Sequence, residues 1–147
     1  MLLFFLVTAG VILLDQVTKI LALQYLAPAG SYPLWENVLH LTYVENTGAA
    51  FGMLQDRRWV FLVISTVALS GMIVYMFLNK TKHPLETTAL AFIVGGGIGN
   101  MIDRLARGFV ADFVAVKCIP YWKYIFNVAD IFVCVGCGLF ILYILLF

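Results

Sequence analysis

Four long runs of apolar residues divide the chain, and each is long enough to cross a lipid bilayer as a helix. A membrane-spanning helix needs about 20 predominantly apolar residues. The polar interruptions are few and fall near the ends of the runs, apart from Asp15 in the first. The pattern predicts four spans, at about residues 2–26, 59–78, 85–105 and 126–147.

The connections between the predicted spans differ in length and in pattern. Residues 79–84 form a short polar loop, whereas residues 27–58 and 106–125 are long excursions on the opposite side of the bundle. In these excursions, residues 38–44 and 109–116 alternate and are rich in β-branched side chains, which is typical of strands. We therefore predict an integral membrane, mainly α fold. It is a single membrane-embedded unit in which a four-helix bundle carries a small β platform at one end.

Composition supports the membrane assignment. Hydrophobic residues make up 63% of the chain and charged residues only 12%, about half the charged fraction of an ordinary soluble domain. The first run lacks the basic start of a secretory signal peptide and contains internal charges, so we expect it to be a retained helix. Cys134 and Cys137 form a C-x-x-C pattern inside an apolar helix, where a packing role is favoured over redox or metal chemistry.

Half of the acidic residues are aspartates in or beside the predicted spans. A carboxylate at membrane depth costs about 2.5–3.5 kcal/mol on insertion scales, which indicates a functional role. Two carboxylates in a dry, enclosed site can share one proton and activate water. The chemistry of an aspartyl protease is therefore the leading hypothesis for the four aspartates, which are Asp15, Asp103, Asp112 and Asp130.

Amide side chains accompany two of these aspartates. Asn100 precedes Asp103, and Asn127 precedes Asp130, both by three residues, so each amide shares a helix face with its carboxylate. Capping of the last helix would also explain Asn127. Asp103 adjoins Arg104, which could neutralise it, so a structural role for this pair stays open at this stage.

The catalytic pair favoured by the residues themselves is Asp112 with Asp130. Both have apolar neighbours, which raise a carboxyl pKa and favour one shared proton. Asp130 is expected about four residues into its helix, roughly 6 Å from the start. Other chemistries have weaker support: no zinc-protease motif, no histidine base beside a serine and no Walker-type loop is present. The glycines at 95–99 favour close helix packing.

Five motifs occur in an order that resembles the bacterial lipoprotein signal peptidases (signal peptidase II). Any one of them would be weak evidence, but five in order across nearly the whole chain are specific. The motifs are DQVTK at 15–19, NTGAAFG at 46–52, GNMIDR at 99–104, VADF at 110–113 and FNVAD at 126–130.

The resemblance implies an aspartyl endopeptidase that removes the signal peptide from diacylglyceryl-modified prolipoproteins, cutting before the lipidated cysteine. By position, Asp112 and Asp130 match the catalytic dyad of the family. Neither a metal nor another cofactor is implied. The supporting or substrate-binding positions that match are Asp15, Lys19, Asn46, Gly48, Asn100, Asp103, Arg104, Asn127 and Ala129.

The resemblance also implies a place in the cell and a set of partners. We expect a multi-pass protein of the bacterial plasma membrane with its site toward the extracytoplasmic face. Positive charges alone would place the long excursions in the cytoplasm, but the five motifs carry more weight than a difference of a few charges. The expected partners are the lipid-modified substrate and membrane lipids, not nucleic acid. A monomer is expected, with cyclic-peptide inhibitors of the globomycin type occupying the site.

Functions from other classes stay open on the residues alone. Carboxylates within a membrane also form ion or proton relays, although here the polar set keeps to one half of the bilayer. A metal-dependent lipid transferase would lose its activity to a chelator. A non-enzymatic lipoprotein-binding module would tolerate loss of both aspartates.

Overall fold

The computed structural model describes residues 1–48, 57–78, 83–119 and 124–147. Within these residues, four helices are long and apolar enough to cross a membrane. This confirms the predicted four-helix architecture, and the helix ends lie within three residues of the predicted spans. The helices are Leu2–Ala29, Arg58–Leu78, Pro84–Ala106 and Val128–Leu146.

The third helix, Pro84–Ala106, lies at the centre of the bundle. Its most apolar window is 56% buried, against 28% or less for each of the other helices. Its glycines allow the neighbouring helices to approach closely. A Cβ added at Gly95 would lie 2.8 Å from Val11 Cβ on the first helix, and one at Gly96 would lie 2.5 Å from Ala129 O on the fourth. The predicted packing role of these glycines is confirmed.

The small β platform is a four-stranded antiparallel sheet in the order β1-β2-β3-β4. The strands are Ser31–Trp35, Leu39–Asn46, Val110–Val116 and Ile125–Phe126. The two predicted strands correspond to β2 and β3. β1 was missed because Pro33 interrupts its pattern; a proline lacks the N–H of a central strand but is tolerated on an edge strand such as this one.

The sheet is attached to the bundle where the first helix ends. Ala22 and Leu26, on a π-helical turn at Ala22–Leu26, pack with Phe113 of β3 in a small apolar cluster. The second helix begins at this same end of the bundle, the third ends there and the fourth begins there. Polar residues at these helix ends are thereby gathered beside β3.

The fourth helix starts later than predicted. It begins at Val128, because Ile125 and Phe126 pair with β3 as a strand and Asn127 caps the helix. Asp130 is therefore the third helical residue, about 3 Å along the axis from the first rather than the expected 6 Å.

Several predicted features lie outside the described residues. These are most of the short polar loop (79–82), the end of the second motif (49–52), and Tyr121 and Trp122. The sequence predicts an interfacial belt of five aromatic residues at the sheet end of the bundle: Trp35, Trp59, Tyr121, Trp122 and Tyr124. Trp35 and Trp59 are 69% and 64% exposed there.

Candidate active site

Asp112 and Asp130 reach the site from different elements. Asp112 lies on β3, whose first four residues are all buried, and its side chain is buried with them. Asp130 lies in the first turn of the fourth helix and is half-buried. A carboxylate in the first turn of a helix also interacts favourably with the helix dipole.

Asn127 connects the two carboxyl groups. Its Nδ2 donates to Asp112 Oδ1 at 2.6 Å, and its backbone N donates to Asp130 Oδ2 at 3.2 Å. In return, Asn127 Oδ1 accepts from the backbone N of Asp130 at 3.0 Å, which completes a capping box. The cap that starts the fourth helix is therefore the same residue that joins both aspartates.

Each aspartate has a second amide donor. Asn46 Nδ2, at the end of β2, donates to Asp112 Oδ2 at 2.8 Å. Asn100 Nδ2, on the third helix, donates to Asp130 Oδ1 at 2.8 Å. Asn46 is itself held, because its Oδ1 accepts from the backbone N of the buried Gly48 at 3.0 Å.

Burial raises the pKa of Asp112 to about 6, and the nearby Asp130 charge adds to the rise, whereas the hydrogen bonds from Asn46 and Asn127 oppose it. A carboxyl with such a pKa is half protonated near pH 6, a higher pH than for an ordinary aspartate. The environment of Asp112 is the kind in which one member of a carboxyl pair holds the shared proton.

A second, ionic layer lies behind this pair. The fully buried Lys19 places Nζ 2.9 Å from Asp15 Oδ2, 3.1 Å from Asp103 Oδ2 and 2.9 Å from Asn100 Oδ1. Asp15 and Lys19 pair across one helical turn, as side chains four residues apart on a helix can. Two buried carboxylates thus share one buried ammonium, with Arg107 as a further cation at the edge of the layer.

The adjacent Arg104, which the sequence left open as a partner, is not the ion-pair partner of Asp103. Asp103 pairs with Lys19 and with Arg107, one helical turn later. Consecutive helical residues point in different directions, whereas residues four apart are neighbours. The Arg104 guanidinium instead lies 5.0 Å over the Phe61 ring and donates to Asn100 O at 3.3 Å and Gly48 O at 3.4 Å.

The ionic layer is bonded directly to the backbone beside each candidate catalytic residue. Asp15 Oδ1 accepts from the N of Ala129, next to Asp130, at 2.9 Å. Asp103 Oδ2 accepts from the N of Ala111, next to Asp112, at 3.1 Å. The small Ala129 is fully buried.

The structure therefore brings all of the sequence-predicted site residues to one end of the bundle. Two further members were not singled out from the sequence, Gln16 and Arg107. The i, i+4 spacing of Arg107 from Asp103 was an available signal, and Gln16 lies within the first motif. In the described parts of the chain, no three His, Cys, Asp or Glu residues are grouped as ligands of a metal ion.

Solved membrane enzymes share this architecture. Two structures, each described as a bacterial membrane enzyme determined by the in meso method, superpose with TM-scores of 0.86 and 0.87 at 29% and 28% sequence identity. The alignments cover 97% of this chain in both cases, and 87% and 92% of the two solved chains.

Sequence relatives identify the family. The chain is 48% identical over 88% of its length to the lipoprotein signal peptidase of Caldanaerobacter subterraneus subsp. tengcongensis, covering 87% of that protein. It is 41% identical over 91% of its length to that of Clostridioides difficile, covering 88%. A family model described as signal peptidase (SPase) II matches residues 7–146. The chain therefore belongs to the signal peptidase II family, the peptidases that process lipoproteins.

Proposed function

We propose that this peptidase is an aspartyl endopeptidase in which Asp112 and Asp130 form the catalytic dyad. The observation that carries the proposal is the double role of Asn127, which donates to both carboxyl groups, to Asp112 at 2.6 Å and to Asp130 at 3.2 Å. Two carboxyl groups tied through one residue are poised to share a proton, as an aspartyl mechanism requires.

The environments of the two residues suggest their roles. The buried Asp112, with its pKa raised to about 6, holds the proton and donates it to the scissile carbonyl oxygen. Asp130 is the ionised partner that takes a proton from the attacking water. The product of this step is a tetrahedral diol. As its C–N bond breaks, Asp130 gives the proton taken from water to the amine nitrogen and Asp112 takes back the proton of the diol hydroxyl. No acyl-enzyme forms, because water rather than a side chain is the nucleophile.

We propose as substrate a prolipoprotein that already carries a diacylglyceryl group, cut just before the modified cysteine. A site at the end of a membrane bundle lets the acyl chains stay in lipid while the peptide bond reaches the aspartates. The exposed Trp35 and Trp59 at this end suit the bilayer interface. The proposed setting is the bacterial plasma membrane, with the site on the extracytoplasmic side, a monomeric enzyme, and inhibition by globomycin-type cyclic peptides.

The test is cleavage of a diacylglyceryl-modified prolipoprotein by the purified protein in detergent and lipid, with a chelator present. We expect the wild type to release the shortened product, and Asp112→Asn and Asp130→Asn to be inactive with unchanged thermal unfolding. Glu36→Gln, the same chemical change at an exposed loop position, is the matched control and should retain full activity.

Each alternative has its own outcome. Cleavage of the substrate by Asp112→Asn or Asp130→Asn would contradict the aspartyl mechanism. If the wild type is active without the chelator and inactive with it, a metal ion takes part in the chemistry instead. Cleavage of an unmodified precursor at the same rate would contradict the proposed substrate class.

A further inference from the structure

Asp15 and Asp103 are connected to the proposed dyad through the backbone: each accepts a hydrogen bond from the backbone of the residue next to one dyad aspartate. Asp15 holds the backbone N of Ala129, so it fixes the start of the helix that carries Asp130. Asp103 holds the backbone N of Ala111, so it fixes the strand that carries Asp112. The relative position of Asp15 and Asp103, the two rear carboxylates, therefore sets the relative position of Asp112 and Asp130.

Gln16 joins the two rear carboxylates. Its Nε2 lies 3.1 Å from Asp15 Oδ2 and 3.2 Å from Asp103 Oδ1, and also 3.2 Å from the carbonyl oxygen of Gly99. All three neighbours are hydrogen-bond acceptors. The NH₂ group of the Gln16 amide must therefore face them, because the amide oxygen in that place would gain no hydrogen bond. Hydrogen bonds to ionised groups are the stronger kind.

Lys19 spans the same two carboxylates from one turn further along the first helix, but its contribution is different. An ammonium group on a flexible stem is a point charge with rotating donors, so Lys19 offsets part of the charge of the two carboxylates without fixing their direction. The planar amide of Gln16 has two N–H donors at a fixed angle. Gly99 leaves room for this arrangement, because a Cβ there would collide with the Asp15 carboxylate.

We infer that Gln16 is a positioning residue of the peptidase: its amide sets the separation of Asp15 and Asp103 and, through Ala129 and Ala111, that of Asp130 and Asp112. This inference rests on the proposed function of the dyad. Gln16 donates to the rear carboxylates and acts on the reaction only through them. A misplacement of about 1 Å at a reacting group can lower a rate about a hundredfold.

The first variant is Gln16→Met, which keeps the length of the side chain and removes both donors. We expect kcat to fall about tenfold or more while KM changes by less than about twofold, because no substrate contact is lost. Gln24→Met is the matched control: Gln24 is an exposed glutamine of the first helix, whereas Gln16 is half-buried, and its replacement should leave kcat and KM unchanged.

A second variant separates positioning from simple stabilisation. In Gln16→Glu, an ionised side chain faces two carboxylates and cannot donate, whereas its protonated form donates one hydrogen bond. The ratio of the Gln16→Glu rate to the wild-type rate should therefore rise as pH is lowered. This signature is measured on folded enzyme, so it remains decisive if Gln16→Met expresses poorly.

The results distinguish the two proposals. If the wild type cleaves and Asp112→Asn is inactive, the dyad stands, and a wild-type kcat in Gln16→Met or a pH-independent ratio in Gln16→Glu overturns the role of Gln16 alone. If Asp112→Asn cleaves, the dyad fails and the role of Gln16 falls with it.

Discussion

At the scale of single residues, Asn127 combines two tasks that a substitution can separate. Its Oδ1 caps the fourth helix, and its Nδ2 donates to Asp112. Aspartate is as good a cap as asparagine, but it has no donor. In Asn127→Asp, the helix start is kept while an acceptor and a second charge face Asp112.

We expect Asn127→Asp to keep the helix start but to unfold at a lower temperature, because the fully buried new carboxylate faces Asp112. It should lose about a hundredfold or more of its activity, the range that general acid–base catalysis supplies. Thermal unfolding and the cleavage assay on the same preparation check this. An active Asn127→Asp would mean that the amide is needed only as a cap.

The pKa of Asp112 gives the expected pH dependence. Because burial raises it to about 6 and the proposed acid must hold its proton, kcat/KM should fall as pH rises through about 6. The Asn46 hydrogen bond opposes the rise in this pKa, so Asn46→Leu should move the falling limb to higher pH. Rate profiles of the two proteins test the assignment; a kcat/KM that rises as pH increases through about 6 would make Asp112 the base rather than the acid.

Asp103 should contribute to stability rather than to the chemistry itself. Asp103→Asn leaves Arg107 without its carboxylate partner and weakens the hold on β3. Removing one partner of a buried ion pair typically costs about 3–5 kcal/mol. We expect lower yield, a lower unfolding temperature and, because Asp103 holds Ala111 beside Asp112, lower activity; an Asp103→Asn protein that unfolds like the wild type would contradict this stabilising role.

At the scale of elements, the site depends on how closely the third and fourth helices approach. A Cβ at Gly96 would lie 2.5 Å from Ala129 O and 2.8 Å from Val133 Cγ2, and a backbone oxygen in a helix cannot easily move. Gly96→Ala should therefore destabilise the protein by about 1–3 kcal/mol, the usual effect of overpacking, and should displace the helix start that carries Asp130.

Gly138→Ala on the fourth helix is the control for this change, since nothing lies within 4 Å of the added Cβ. It should be neutral or stabilising by up to about 1 kcal/mol through helix propensity. Thermal unfolding in detergent compares the two variants. Equal behaviour would show that the two helices can separate without loss.

The four spans and the gathering of polar residues at one end follow from the sequence, whereas some of the side-chain contacts do not. The spans were predictable because membrane helices need long apolar runs, and the convergence of polar residues followed from their places near helix ends. The partner of Asp103 was not predictable from adjacency, because helix geometry favours Arg107 over Arg104. Gln16 gave no signal of its own: an amide beside a charged residue acquires its role only when the third helix brings Asp103 to it.

At the scale of the whole molecule, the sidedness proposed for the site can be tested through cysteines. Cys118 is exposed just after β3, at the sheet end, whereas Cys134 and Cys137 lie within the fourth span. An impermeant maleimide applied to intact spheroplasts should label the wild type and should not label Cys118→Ser.

The opposite end of the bundle supplies the control. Phe147 is exposed beyond the last helical residue, so the thiol of Phe147→Cys, made together with Cys118→Ser, should react only after permeabilisation. The reverse labelling pattern would place the sheet and the dyad in the cytoplasm.

The pairing of Asp15 with Lys19 has a consequence for how the enzyme is made. The first helix enters the membrane before the fourth helix has been synthesised. At that stage Asp15 lacks the hydrogen bond from the backbone N of Ala129 that it accepts in the folded protein. Its salt bridge at 2.9 Å lies within one helix, so the ion pair forms without any partner helix and lessens the penalty of inserting the charge. Because Ala129 and Asp130 lie on the fourth helix, the proposed site is complete only after that helix has been inserted.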